Sequence, residues 1–341
     1  MAGLRAGIAG AGLMGRWHAH AVRRAGGQVV AVADPNLVAA RALASRHPGA
    51  AVHAAGADLV AAGGLDVLHV CSPLPTHAPL IEAALAAGVH VLAEKPLAAD
   101  LESTRHLLAA ADRHGVLLCP VHQFLFQEGV GRARVSPSPI GDLRHIEVTI
   151  CTAGADDAPP EHWDELLADV LPHPLSLAQV LLRGGLTGAE FRARRPVPSD
   201  LIVEADRDGI ALRVLVSLRA RPTQCELLLR GEAGTLLADL FHGYAFLEAG
   251  DVSRGRKILR PFRLGTARLW AAGRNLVSRG VRGEPAYPGL RGLIRAFHQA
   301  AARGGPAPIP PADVLAVAAG RDAIIATTLP GAATSGRTVR A

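Results

Sequence analysis

The string Gly10-Ala11-Gly12-Leu13-Met14-Gly15 lies between an apolar run at residues 4–9 and a helical pattern at 14–25. A Gly-x-Gly-x-x-Gly spacing alone is a weak signal. Directly after a strand and at the start of a helix, it constrains the fold strongly. Gly10 permits the tight turn, Gly12 lets backbone N–H groups approach a pyrophosphate, and Gly15 allows helix and strand to pack closely. The helix N-terminus adds partial positive charge. These features predict a doubly wound parallel sheet that carries a dinucleotide site.

The pattern continues along the first third of the chain. Strands are expected over 4–9, 28–33, 66–71, 90–93 and 116–121, with helices over 14–25, 36–47, 76–87 and 101–114. The strands are too uniformly apolar to be half exposed, as expected when helices cover both faces of a sheet. After Val121 the rhythm changes. Helices are predicted over 123–134, 171–182, 288–303 and 311–328, and strands over 143–151, 187–195, 201–206, 210–219, 224–230 and 235–240. Short turns such as Asp206-Arg207-Asp208-Gly209 join several of these strands, which implies antiparallel or mixed pairing. With 341 residues and 49% hydrophobic content, the chain is long enough for two cores. The expected architecture is a Rossmann domain over 1–121 and an α+β domain with a large open sheet over 122–341.

Other classes are disfavoured. No secretory h-region follows Met1, and the longest relevant apolar run, 83–93, is far short of the roughly 20 residues that span a bilayer. A cytoplasmic protein is expected. Cys71, Cys119, Cys151 and Cys225 lack Cys-x-x-Cys spacing and read as core residues; the histidines lack metal-ligand spacing, so no metal is expected. The net charge of +6 is local: 254–282 holds nine basic residues and no acidic one, leaving 27 basic against 30 acidic elsewhere. On a helical wheel, Arg263, Arg268, Arg274, Arg279 and Arg282 fall on one half, and Phe262, Leu269, Trp270, Leu276 and Val277 on the other. Such a helix can pack its apolar side on the sheet or on a neighbouring subunit. It can also meet an anionic ligand such as a nucleotide-sugar diphosphate, or an anionic membrane surface. Nucleic acid is not expected.

Asp34 ends the second strand, where a carboxylate can accept hydrogen bonds from ribose hydroxyls and would repel a 2′-phosphate. NAD is therefore expected over NADP. The loop from Cys71 to His77 and the Glu94-Lys95-Pro96 segment each follow a strand, at the edge where ligands of such sheets bind. The expected cofactor contacts are Gly10, Gly12, Leu13, Met14, Gly15, Asp34, Ser72, Pro73, His77, Glu94 and Lys95.

Together with residues 88–97, 169–173 and 231–235, these motifs make the chain resemble the Gfo/Idh/MocA oxidoreductases. The resemblance implies a Rossmann domain followed by an α+β domain whose open sheet often supports dimers or tetramers. It maps the family's catalytic trio onto Lys95, Asp169 and His173. His173 would be the general base on a hydroxyl, Asp169 would orient it, and Lys95 would polarise the reacting oxygen. The activity implied is NAD(H)-dependent oxidation of a secondary hydroxyl, or reduction of the ketone, on a sugar, polyol or nucleotide sugar, with phosphorylated substrates included. A redox-neutral use of NAD and a non-catalytic NAD-binding regulator are the alternatives. A homodimer or homotetramer is expected.

The chain also departs from the family pattern. Glu165-Leu166-Leu167-Ala168 replaces a glycine run, Ser176 an aspartate, and His122-Gln123-Phe124 an Asn-x-Arg element. His122 is a candidate substrate contact, alongside Lys95, Asp169 and His173, or a structural residue. Pro172 and Pro174 predict a helix starting near Pro172 with Asp169 just ahead of it.

Overall fold

The computed structural model describes residues 3–134, 139–250 and 253–329, and they form two compact units. The first contains β1 (Arg5–Ala9), α1 (Leu13–Arg24), β2 (Gln28–Ala33), α2 (Leu37–Ala44), β3 (Ala51–His53), α3 (Gly56–Ala61), β4 (Val67–Val70), α4 (His77–Ala86), β5 (His90–Ala93), α5 (Leu101–Arg113) and β6 (Leu118–Pro120). Its six strands are all parallel, in the order β3-β2-β1-β4-β5-β6. The order reverses between β1 and β4, and such a switch point opens a crevice at the carboxyl edge. Ile8, Val67, Leu68, Val70, Val91, Leu92 and Ala93 are fully buried, as the uniformly apolar runs require.

Two short elements, β3 and α3, carry too little pattern to register in sequence. A larger difference concerns the division of the chain. The first unit comprises residues through His122 together with Leu290–Ala319, so the expected single crossing near 121 is not the division found. Helix α10 (Leu290–Arg303) returns to pack on α1. Its Leu293, Ile294 and Phe297 are completely buried, and that apolar face provides the physical reason for the return.

The second unit contains α6 (Glu128–Ala133), β7 (Leu143–Cys151), α7 (Trp163–Val170), α8 (Pro172–Leu181), β8 (Arg192–Arg194), β9 (Asp200–Arg207), β10 (Ile210–Ser217), β11 (Gln224–Gly231), β12 (Gly234–Asp239), β13 (Tyr244–Ala249) and α9 (Arg254–Arg282). Helix α11 (Pro311–Thr328) contributes residues to both units. The seven-stranded sheet runs β13-β12-β11-β7-β10-β9-β8, parallel only between β7 and β10. One face buries Ile146, Val148, Val214, Val216, Leu227 and Leu229. The other carries ion pairs, including Arg230–Glu147 at 2.8 Å and Arg213–Glu204 at 3.8 Å.

The cationic helix is turned the other way from the reading in which its apolar side packs on the sheet. Arg260 pairs with Glu248, Arg268 donates to the Tyr244 hydroxyl at 2.9 Å, and Arg274 lies 3.1 Å from Glu128. The outward stripe is apolar: Phe262 is 73% exposed, Leu269 75%, Trp270 68% and Leu276 74%. Acidic residues on the unit's own sheet and on α6 draw the guanidinium groups inward, which leaves the large side chains in solvent. No helix among the described residues is long and apolar enough to cross a membrane.

Candidate active site

Because the first sheet is parallel, the residues that follow its strands gather at one edge: Gly10 after β1, Asp34 after β2, Cys71 and Ser72 after β4, Glu94 and Lys95 after β5, and His122 just beyond β6. The glycine turn is held by contact. Gly10 has φ +102°, and a Cβ there would lie 2.5 Å from the Cys71 carbonyl oxygen. A Cβ on Gly15 would sit 1.8 Å from the Gly10 carbonyl oxygen, whereas a Cβ on Gly12 would meet nothing within 4 Å. Gly12 is the N-cap of α1, with no capping side chain and no acidic residue in the first turn. The N–H groups of Leu13, Met14 and Gly15 at that terminus, beside the open space at Gly12, fit the pyrophosphate of a dinucleotide.

Asp34 is tied into the turn. Its Oδ2 accepts the Ala11 N–H at 2.7 Å and its Oδ1 the Asn36 N–H at 2.8 Å. The cap of α2 is Asn36, whose Oδ1 accepts from Val38 and Ala39. Asp34 thereby holds its carboxylate at the end of β2, where remaining lone pairs can accept ribose hydroxyls.

The Cys71–His77 loop is rigidified from within. Ser72 Oγ and Thr76 Oγ1 lie 2.7 Å apart, and Thr76 Oγ1 donates to the Pro73 carbonyl instead of capping α4. His77 is buried, its Nε2 2.9 Å from the Ser72 carbonyl and its Nδ1 3.0 Å from the Pro96 carbonyl. The ring therefore spaces the Ser72-Pro73 turn from the Glu94-Lys95-Pro96 turn and is turned toward backbone. Ser72, Pro73, Glu94 and Lys95 are at least partly exposed at this edge. His122 is 3% exposed, and its Nδ1 has no hydrogen-bond partner. Burial, reinforced by the nearby Lys95 cation, pushes its pKa down to about 3, so the ring is neutral. Three cysteines are buried and Cys71 is half-buried, and burial raises all four thiol pKa values.

Asp169 and His173 belong to the second unit. Asp169 lies in α7 and His173 in α8, but Leu171 between them keeps helical angles, φ −52° and ψ −38°. Leu171 donates to Leu167 and Leu175 to Leu171, so the backbone winds through both prolines without a break in sense. Asp169 is thus not ahead of a helix, and a separation of four places it on the same face as His173. The His173 ring packs against Phe124 with centroids 4.8 Å apart. Residues 165–168 build the turn of α7 that leads to Asp169, and Arg321 Nε donates to the Ala168 carbonyl at 3.2 Å. Ser176 Oγ donates to the His173 carbonyl at 2.9 Å, within the helix. Arg321 escaped sequence reasoning, since it carries no local motif, and Phe124 was singled out only as part of the triplet that replaces the Asn-x-Arg element.

Two outcomes follow. Gly12→Ala should retain wild-type thermal stability while weakening dinucleotide binding at least about tenfold, and Gly15→Ala should fail to fold stably, because one Cβ enters open space and the other a carbonyl oxygen. Calorimetric titration with melting curves separates the two, and equal melting temperatures would contradict the packing. Second, a histidine with its folded pKa lowered from 6.5 to about 3 is bound to a proton more readily when unfolded, so stability present above 6.5 is lost as pH falls. Between pH 6.5 and about pH 5 the loss should be on the order of 2 kcal/mol. Urea denaturation of wild type and His122→Phe tests this; the variant should lose less.

A model of an oxidoreductase family with an NAD-binding Rossmann fold, Gfo/Idh/MocA, matches residues 4–122. A dTDP-3,4-didehydro-2,6-dideoxy-alpha-D-glucose 3-reductase of Streptomyces violaceoruber is 36% identical over 191 residues, covering 53% of this chain and 54% of that protein. An inositol 2-dehydrogenase of Pseudomonas syringae pv. syringae is 40% identical over 184 residues, covering 52% and 54%. The chain thus spans about half the length of these curated relatives. Levoglucosan dehydrogenase, solved with NADH and levoglucosan, superposes with a TM-score of 0.75 at 18% identity over 95% of this chain and 97% of that one. A 3-ketoreductase from Actinomadura kijaniata, solved with NADP and TDP-benzene, gives 0.73 at 21% identity over 96% and 98%. At these identities the structural likeness is one of fold. Residues 4–122, about a third of the chain, are similar to the Gfo/Idh/MocA oxidoreductases in the segment that forms their NAD-binding Rossmann fold.

Proposed function

We propose that this protein is an NAD(H)-dependent oxidoreductase that interconverts a secondary hydroxyl and its ketone on a sugar, polyol or nucleotide sugar. The observation that carries the reading is the single strand edge on which the open helix N-terminus at Gly12, the Asp34 carboxylate and Glu94-Lys95 gather. A bound nicotinamide would supply the hydride acceptor or donor. Lys95 binds the reacting oxygen and stabilises its negative charge. His173, oriented by Asp169 one helical turn earlier, takes the hydroxyl proton during oxidation and returns it during reduction. His122 contacts the substrate through its buried, unpartnered Nδ1. The relatives' substrates, a deoxysugar nucleotide and inositol, support the substrate class.

The preference for NAD rests on Asp34, whose carboxylate is held in place by Ala11 and Asn36 and would repel a 2′-phosphate. Lys95→Ala and His173→Ala are each expected to lower kcat at least about 100-fold on a substrate found in a panel of polyols and keto-sugars. Asp34→Ser should shift the ratio of NAD to NADP affinity toward NADP. Wild-type turnover by both alanine variants would sink the assignment.

The same reading includes a homodimer or homotetramer in which a second copy covers the outward stripe of α9. Arg260, Arg268 and Arg274 of that helix are matched by Glu248, Glu226 and Glu128 on the face turned to the protein, which leaves the apolar stripe for a second copy to cover. Light scattering should show an oligomer that Leu269→Glu with Leu276→Glu converts to monomer; an unchanged mass would place the interface elsewhere.

A further inference from the structure

Three histidines from distant parts of the sequence meet inside the first unit. His18 of α1 places Nε2 3.1 Å from Glu94 Oε1 and Nδ1 3.0 Å from His69 Nδ1 in β4. His69 Nε2 lies 3.0 Å from His298 Nε2 in α10. His18 and His69 are completely buried and His298 is 6% exposed. Among the described residues, no group of three or more His, Cys, Asp or Glu side chains is arranged to hold a metal ion, and these rings are strung in a line.

The chemistry of neutral imidazole sets every proton in this line. Each ring has one donor and one acceptor nitrogen, and an ionised carboxylate only accepts. His18 therefore donates from Nε2 to Glu94, His69 donates from Nδ1 to His18, and His298 donates from Nε2 to His69. A single lone pair is left over, on His298 Nδ1. That nitrogen lies against the Gly26-Gly27 turn, where a Cβ built on Gly27 would come within 3.1 Å of it. The turn precedes β2, at the amino edge of the sheet, whereas Glu94 follows β5 at the carboxyl edge. Burial, reinforced by the neighbouring His18, holds His69 well below its usual pKa and His298 at about 4, with Asp66 opposing the shift at His298, so these two rings are neutral.

We propose that His18, His69 and His298 form a proton path through the first unit, joining Glu94 at the proposed catalytic edge to solvent at the Gly26-Gly27 turn. A proton taken up on His298 Nδ1 releases the Nε2 proton to His69 Nε2. The Nδ1 proton of His69 passes to His18 Nδ1, and the Nε2 proton of His18 passes to Glu94 Oε1. Each ring ends neutral in its other tautomer, and one proton has crossed. With Glu94 ionised the path is set to bring a proton to the edge at which ketone reduction consumes one overall, His173 remaining the group that hands it to the oxygen; hydroxyl oxidation runs the path in reverse. None of the three rings touches substrate, so they act through Glu94. This use of the path rests on the oxidoreductase reading, but its existence does not.

The test needs no substrate. In protein carrying ¹⁵N-labelled histidine, near neutral pH, the tautomers should read Nε2–H, Nδ1–H and Nε2–H for His18, His69 and His298. The ring N–H of His69 should exchange with water through the path. His298→Gln keeps an amide donor for His69 but cannot relay a proton, and should slow that exchange at least about tenfold while the backbone amides of β4 exchange as before. Gly27→Ala keeps all three rings, covers His298 Nδ1, and should slow it likewise. A different tautomer order, or equal ring exchange in wild type and in whichever variant folds, overturns the path. Slowed exchange in a protein that turns over no sugar or polyol would uphold the path and refute the oxidoreductase reading.

Discussion

The close approach of α1 to β1 organises the first unit. The helix can lie this near because Gly15 has no side chain to meet the Gly10 carbonyl oxygen, 1.8 Å from where a Cβ would stand. The same contact aims the α1 N-terminus at the open space over Gly12 and sets the depth at which His18 enters the sheet layer. His18 then reaches Glu94 on one side and His69 on the other. Dinucleotide cradle and histidine line thus share one geometric cause. A shift of α1 by a side chain's width would break both.

Around that contact, polar groups fix loops that would otherwise be free. Asp34 ties the glycine turn to β2 through the Ala11 N–H, and His77 spaces the turn after β4 from the turn after β5. In the second unit, α7 and α8 follow one another with a helical junction at Leu171, which gives Asp169 and His173 a common face despite two prolines. Where the chain departs from the pattern of the Gfo/Idh/MocA proteins it resembles, the substituted residues serve local structure. Residues 165–168 complete a helical turn, and Ser176 bonds the His173 carbonyl.

The orientation of α9 does not follow hydrophobic burial, since Phe262, Leu269, Trp270 and Leu276 face solvent. Its arginines meet Glu248, Glu226, Glu128 and the Tyr244 hydroxyl, and each such contact needs the polar face inward. A helical wheel separates two faces but carries no information about which one meets the protein. That choice depends on acidic residues more than a hundred positions away for Glu128 and on neighbouring strands for the others.

Much of the fold was legible locally because its signals are local. Gly10 to Gly15 marked the strand, turn and helix; the apolar runs marked β2 and β5 to the residue; Asp34 and Glu94-Lys95 fell after strands whose parallel order follows from alternation with helices. The short β3 and α3, and the helix α7 that holds Asp169, lacked a period long enough to read. The sequence by itself determined a dinucleotide-binding parallel sheet and the residues at its carboxyl edge, because glycine sterics and strand periodicity act over a few positions. Only the tertiary structure decided that α10 returns to the first unit, that α9 turns its apolar stripe outward, and that His18, His69 and His298 stand in line. Those outcomes depend on contacts such as the one spanning His69 and His298, which no local pattern encodes.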